Sequence, residues 1–432
     1  MKSLTFLLLF LVAVTVCHEP FQVIFQWNTV DVAWPSEEER DYAVSHNDYV
    51  PANNFIAGIK FWKGKMYLSL PRWRDGVPVT LAVTSATPIN RITAPVLDAY
   101  PSWEMQKIGD CSAFQFVQSM EIDPIGRMWV IDSGTMSPLS VETKATCPAR
   151  LVILDLENKG EILKSYEFPP NVARPGMAYL NDIVVDHEDG GMAYISDSDR
   201  EDPGIIVYSL QNNTSWKIRH DSMKAKQEAV KFMISKVLIN MPIPVDGIAL
   251  SPASVSNRQI YYSPLSSFHL YSMPTFALKS NASNLDDYVQ ELGRKNSQSD
   301  GMIMSSTGVL YFGLLADDAV AMWDTKQSSS FNTGQRVISR DHERMQWPDT
   351  FAFDEEGNFY CVTNAMQNIL NNRVNVSVPN YRVVRSKTRL KSYQYLEDGS
   401  APQQPEIPAS SANRITLWLA TGLAVLLAVV VQ

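Results

Sequence analysis

Four aspartates in this chain, Asp182, Asp246, Asp300 and Asp349, each stand immediately before a short apolar run. Carboxylates so placed can hold a cation by charge or pass a proton between a donor and an acceptor. The plainer role for any one of them is to hydrogen-bond the loop backbone, as Asp does in turns. Other chemistry is thinly represented. The chain has no Gly-x-Ser-x-Gly, His-Glu-x-x-His, Cys-x-x-Cys or phosphate-binding glycine loop. His18, His46, His187, His220, His269 and His342 show no metal-ligand spacing and read as surface or packing residues. The run Ser196 to Gly204 carries the hard oxygens that calcium prefers, but without EF-hand spacing, and reads as a solvated loop. The basic run Arg382, Arg385, Lys387, Arg389 and Lys391 alternates along a strand and reads as a solvated edge. No metal and no cofactor is called for.

The aspartates belong to a recurring module. An apolar strand meets a polar or acidic turn, and a second strand carries an aromatic. The copies centre on Met66, Met128, Met192, Ile260, Leu310 and Phe359, so successive steps are 62, 64, 68, 50 and 49 residues. A further β-branched or aromatic run follows most copies, as in Leu151 to Leu156, Gly204 to Tyr208 and Ala319 to Trp323. An inner hairpin with an outer pair makes a four-stranded blade. Six blades in a closed ring protect the edges that an open fan would leave bare. The expectation is an all-β, six-bladed β-propeller. After the sixth module only Tyr381 to Arg385 offers another strand, whereas Phe21 to Trp27 alternates like a strand with no hairpin of its own. The N-terminal strand is therefore expected to close the last blade. In such a ring the four aspartates crowd one mouth of the central channel and give it negative potential.

The 432 residues suit one large β domain with processing segments. With 37 Lys and Arg against 46 Asp and Glu, the net charge of −9 argues against a nucleic-acid binder. Residues 1–17 read as a secretory signal peptide, with a basic start and an apolar core too short to span a bilayer. Three cysteines then remain. Cys111 and Cys147 flank the second module in polar loops and are expected to pair; Cys361, in an apolar strand, reads as a buried free thiol. Asn212, Asn213, Asn281 and Asn375 are N-glycosylation acceptors, the first two overlapping. The propeller is expected over 18–392, followed by a Pro/Ser/Ala-rich linker over 393–414 and an apolar tail over 415–432. Ile415 to Val431 is 17 uncharged residues, about 26 Å as a helix at ~1.5 Å per residue, and no basic residue follows it. Small residues Gly399 and Ser400, a polar spacer and this tail match a glycosylphosphatidylinositol signal, with attachment at Gly399 or Ser400. The alternative is a single transmembrane tail. Membrane contact is expected through this tail alone.

The order Gln26-Trp27, Trp34-Pro35-Ser36, Tyr49-Val50-Pro51-Ala52-Asn53-Asn54 and Leu70-Pro71-Arg72-Trp73 resembles the Yellow and major royal jelly protein family. So do Gly109-Asp110-Cys111, Met128-Trp129-Val130-Ile131-Asp132-Ser133-Gly134, Asn181-Asp182-Ile183-Val184-Val185-Asp186 and Ala193-Tyr194-Ile195-Ser196-Asp197. The resemblance runs in order from about Phe21 to Tyr381; the apolar tail departs from it, since most of the family looks simply secreted. It implies an extracellular six-bladed propeller linked to cuticle melanin pigmentation, with dopachrome conversion in some members and biogenic-amine binding in the channel of salivary ones. It further implies a site at Thr350, Asn364 and Met366, where Met366 replaces an aromatic. In physical terms Asp300 or Asp349 would hold an amine, and Phe351 is a candidate wall for its ring. Three functions follow as expectations: a binder of a small aromatic amine or catechol, a dopachrome-converting isomerase, or a structural, adhesive surface protein.

Overall fold

A computed structural model describes residues 20–139, 144–145, 147–282 and 284–408. The signal-peptide segment and the apolar tail lie outside the described residues. Six four-stranded antiparallel sheets form the ring expected from the repeats. Their innermost strands are Ile59–Trp62, Val117–Ile122, Leu180–Asp186, Val245–Leu250, Met302–Met304 and Pro348–Phe353. The sixth sheet is completed by Gln22–Trp27, which pairs with Tyr381–Lys387 from Gln22↔Arg385 to Trp27↔Tyr381. The N-terminal strand thus closes the last blade.

The repeated turn acid and the repeated aromatic explain each other. In the second blade Asp123 Oδ1 accepts from the backbone N–H of Ile125 and Arg127, and Gly126 turns the chain at φ +82°. The other oxygen, Oδ2, accepts from Trp129 Nε1 at 3.1 Å. In the sixth blade Asp354 does the same for Glu356 and Asn358, Gly357 sits at φ +80°, and Tyr360 donates to Asp354 Oδ2 at 2.9 Å. Tyr194 reaches Asp186 Oδ2 at 3.3 Å in the third. Each pair pins its hairpin while the ring fills the space between neighbouring blades, where Tyr67, Trp129, Tyr194, Tyr262, Tyr311 and Tyr360 are all buried.

Two features depart from the simple repeat. The longest step, between the third and fourth modules, holds an extra hairpin, Lys231–Ile234 with Val237–Asn240. Its turn places Ser235 and Lys236 at φ +47° and +67°, and its Phe232, Ile234 and Ile239 are buried in the largest hydrophobic cluster. The second departure is the segment expected to be linker from 393. It does not leave the propeller there. Tyr393 N–H donates to Met304 O, and its carbonyl accepts from Ala253 N–H. Its hydroxyl accepts from Val185 N–H at 2.8 Å, Gln394 donates to Ile122 O at 2.8 Å, and Arg127 donates to Pro405 O at 2.6 Å. Ile407 packs beside the cluster between the second and third blades. A Pro-rich composition suggests a linker, but an extended strap that needs no ladder of its own suits proline equally well. It crosses one face of the ring and ties four blades together.

Candidate functional site

Four of the innermost strands break register where they face the channel. Val117 pairs with Asp132 and Met120 with Val130, so Gln118 and Ser119 oppose one residue. The same two-for-one bulge occurs at Asn181-Asp182, Asp246-Gly247 and Asp349-Thr350. Ala57-Gly58 straddles Ser69 through backbone bonds of 3.1 Å, and Asp300-Gly301 precedes the fifth ladder at the same place. Bulges re-aim side chains. Here Gln118, Asn181, Asp246, Asp300 and Asp349, each the first of its pair, line an upper chamber; of the second residues, Asp182 and Thr350 line a narrow lower one, and a small neck between the two takes in members of both sets. Space requires glycine at two of the second positions: a Cβ on Gly247 would lie 2.3 Å from Asp300 O, and one on Gly301 2.4 Å from Asp349 O.

Around the ring the first residues read Ala57, Gln118, Asn181, Asp246, Asp300 and Asp349, and all but Ala57 line the upper chamber. Three blades are neutral and three acidic. The chamber above this floor has a volume of about 260 Å³. Its aromatic walls are Trp73, Tyr179 and Trp347, and Met177, Met241 and Met366 add thioethers. Trp347 is buried at φ +51° and donates its indole N–H to Asp300 Oδ2 at 2.5 Å. A non-glycine residue held there is backbone strain retained at a site.

The acidic arc carries more carboxyl than counter-charge. Burial, then the charges of Asp300 and Asp349, push Asp246 well above the usual carboxylate range. Burial, then Asp300, does the same to Asp349 against the opposing hydrogen bond from Asn364. Asp300 is raised less, because it accepts hydrogen bonds from Asp246, Trp347 and the Gly301 backbone. One of these two carboxyls thus keeps a proton and shares it with the other. Beneath the floor, burial raises Asp182 to about 6, tempered by the Lys60 charge. Lys60 itself is paired with Glu121 at 3.2 Å.

Of the residues singled out in the sequence, Asp246, Asp300, Asp349 and Met366 meet at the upper chamber. Asp182 does not: it is one residue out of step with the other three and belongs to the lower ring, with Asn181 in its expected place. Thr350 is likewise a lower-ring residue. Phe351 stacks on Phe359 at 5.6 Å in the core between blades and borders the lower chamber, so it is not a wall of the upper one. Asn364 is fully buried behind the floor, donating to Asp349 Oδ2 and, at 3.1 Å, to Ile56 O. It orients Asp349 rather than facing the chamber. Gln118, Asn181, Trp73, Tyr179 and Trp347 were missed. The pair Gln118-Ser119 before Met120 was the available signal, since it matches Asn181-Asp182 before Ile183.

Elsewhere, Cys111 and Cys147 form a disulfide and Cys361 is buried and free. Asn212, Asn213, Asn281 and Asn375 are all exposed. Gly399 and Ser400 sit in a turn of the strap, where Lys391 donates to Gly399 O at 2.8 Å. The acidic loop satisfies itself with cations of the chain: Asp197 with Lys217, Asp199 with Arg174 and Asp202 with Arg219.

A family model described as major royal jelly protein matches residues 115–394. The chain belongs to the major royal jelly protein family. Protein yellow of Drosophila guanche is 28% identical over 375 residues, covering 83% of this chain and 64% of that protein. Protein yellow of Drosophila melanogaster is 28% identical over 372 residues, covering 83% and 67%. The chain thus spans about two thirds of the length of these royal jelly family relatives. Among solved structures, a regucalcin from Agrobacterium tumefaciens aligns at a TM-score of 0.47 and 12% identity over 82% of this chain and 94% of that one. A luciferin-regenerating enzyme aligns at 0.46 and 10%, over 82% and 99%.

Proposed function

We propose that this family member is an extracellular propeller that binds a small aromatic amine or catechol in its upper chamber and acts in cuticle pigmentation. One observation carries the binding reading: three buried carboxyls, Asp246, Asp300 and Asp349, form one arc of a floor beneath Trp73, Tyr179 and Trp347. An ammonium group supplies the charge that this arc lacks, and the rings above it accept a flat apolar body. The same arc repels a carboxylate, so the amine is preferred over the corresponding amino acid. The disulfide supports passage through an oxidising compartment, and the pigmentation role rests on the family. Attachment to the cell surface by a lipid anchor or by a transmembrane tail is a further part of the proposal.

A second reading is favoured by the Asp246–Asp300 hydrogen bond. A neutral carboxyl beside an ionised one is a proton donor and acceptor within one site, which is what tautomerisation of dopachrome requires. Calorimetric titration of the purified protein with dopamine, beside an assay of dopachrome colour loss, separates the two. Saturable binding without accelerated colour loss supports the binder. Acceleration that disappears in Asp246→Asn supports the isomerase. Neither result with either ligand removes the chamber as the functional site.

A further inference from the structure

The neutral half of the floor is not blank. Gln118 is 7% exposed, and its side-chain oxygen accepts from Trp73 Nε1 at 3.1 Å and from the Tyr179 hydroxyl at 3.0 Å. An indole N–H can only donate, so the amide orientation is fixed: oxygen toward the two rings, NH₂ away from them. Among the described residues nothing accepts from that NH₂, although the side chain lines the chamber. In the next blade, Ser198 spends its hydroxyl proton on Val245 O at 2.6 Å. It must therefore accept from Asn181, whose Nδ2 lies 3.2 Å away. Asn181 is 9% exposed, and its oxygen is left facing the chamber without a donor among the described residues. Two neighbouring blades thus present one unused donor and one unused acceptor at one level, across from the carboxyl arc.

We infer that Gln118 and Asn181 read a hydroxyl group on the ligand's ring, and so make the chamber selective for hydroxylated aromatic amines over their deoxy counterparts. This rests on the amine-binding reading above. A hydroxyl is a small neutral group that both accepts, here from Gln118 Nε2, and donates, here to Asn181 Oδ1. A deoxy ring enters the same chamber but leaves both buried groups unpaired, and unpaired buried polar groups are what give a site its power to reject. The ammonium is held on the arc of blades four to six and the hydroxyl on blades two and three, so the ring lies across the channel between Trp73 and Trp347.

The test is calorimetric titration of the purified protein with tyramine and with phenethylamine, which differ by one ring hydroxyl. The parent is expected to bind tyramine about tenfold more tightly. Gln118→Glu keeps an oxygen for Trp73 and Tyr179 but removes the donor. Its added charge acts on both amines alike, so the readout is the ratio of affinities, expected to fall toward one. Gln118→Leu should lose the ratio too, and tryptophan fluorescence of both variants checks that the walls are intact. A parent that binds both amines equally overturns the hydroxyl inference and leaves the amine site standing. So does a ratio that survives in Gln118→Glu. A parent that binds neither overturns both.

Discussion

Asp246 and Asp300 are hydrogen-bonded to each other across the junction of the fourth and fifth blades. Two carboxyls can share such a bond only while one keeps its proton, and burial beside Asp349 is what keeps it there. Asp246 is brought there by the bulge of the fourth inner strand, and Asp300 holds the matching place just ahead of the fifth.

The division between upper and lower rings predicts which side chains matter to a ligand. Asp349→Asn should weaken binding of a cationic amine roughly ten- to a hundredfold, the value of a charge-assisted contact of ~1.5–3 kcal/mol, and leave a neutral catechol nearly unchanged. Asn364→Ala should weaken it less, through a misplaced Asp349. Thr350→Ala, beneath the floor, should bind as the parent does. Titrations of the three variants with dopamine and catechol check the order.

Asp182 predicts a pH-dependent gain from a conservative change. Its folded value, raised from 3.8 to about 6, means that its contribution to stability is present below pH 3.8 and lost as pH rises through 6. Asp182→Asn removes a group that is neutral in acid and costly when ionised. The variant should melt like the parent at pH 4 and higher than the parent at pH 7, by at most about 3 kcal/mol. Parallel thermal melts at the two pH values decide it.

The strap predicts where the fold ends. Tyr393→Phe leaves the buried Val185 N–H without an acceptor and should cost about 1–3 kcal/mol. A chain ending at Lys391 should lose more, whereas one ending at Pro408 should melt as the full chain does. Denaturant titrations of the three give the comparison.

What could be read from the sequence was whatever the module carries locally. Six polar or acidic turns with six aromatics signal six hairpins, and a lone alternating strand at Phe21 to Trp27 signals the closure. The bulge is different. It arises because inner strands converge on a channel, so nothing within a strand marks it, and Asp182 was aligned with Asp246 when Asn181 is the true counterpart. The aromatic walls were equally hidden. Trp73 and Trp347 come from loops outside the repeat, while Phe351, next to two channel residues, points by strand alternation into the core. The strap is not legible in composition, which reports the absence of a ladder, not the absence of contacts.

The most direct measurement is the proton balance of amine binding. Dopamine is titrated into the protein near pH 6.5 in two buffers of different ionisation enthalpy, and again at higher pH. An ammonium that settles on Asp246, Asp300 and Asp349 must displace protons held by the empty floor. The predicted result is net proton release and an affinity that rises with pH. Binding with the same enthalpy in both buffers and no dependence on pH, or no binding at all, would contradict the claim that the carboxyl arc is the ligand's counter-charge.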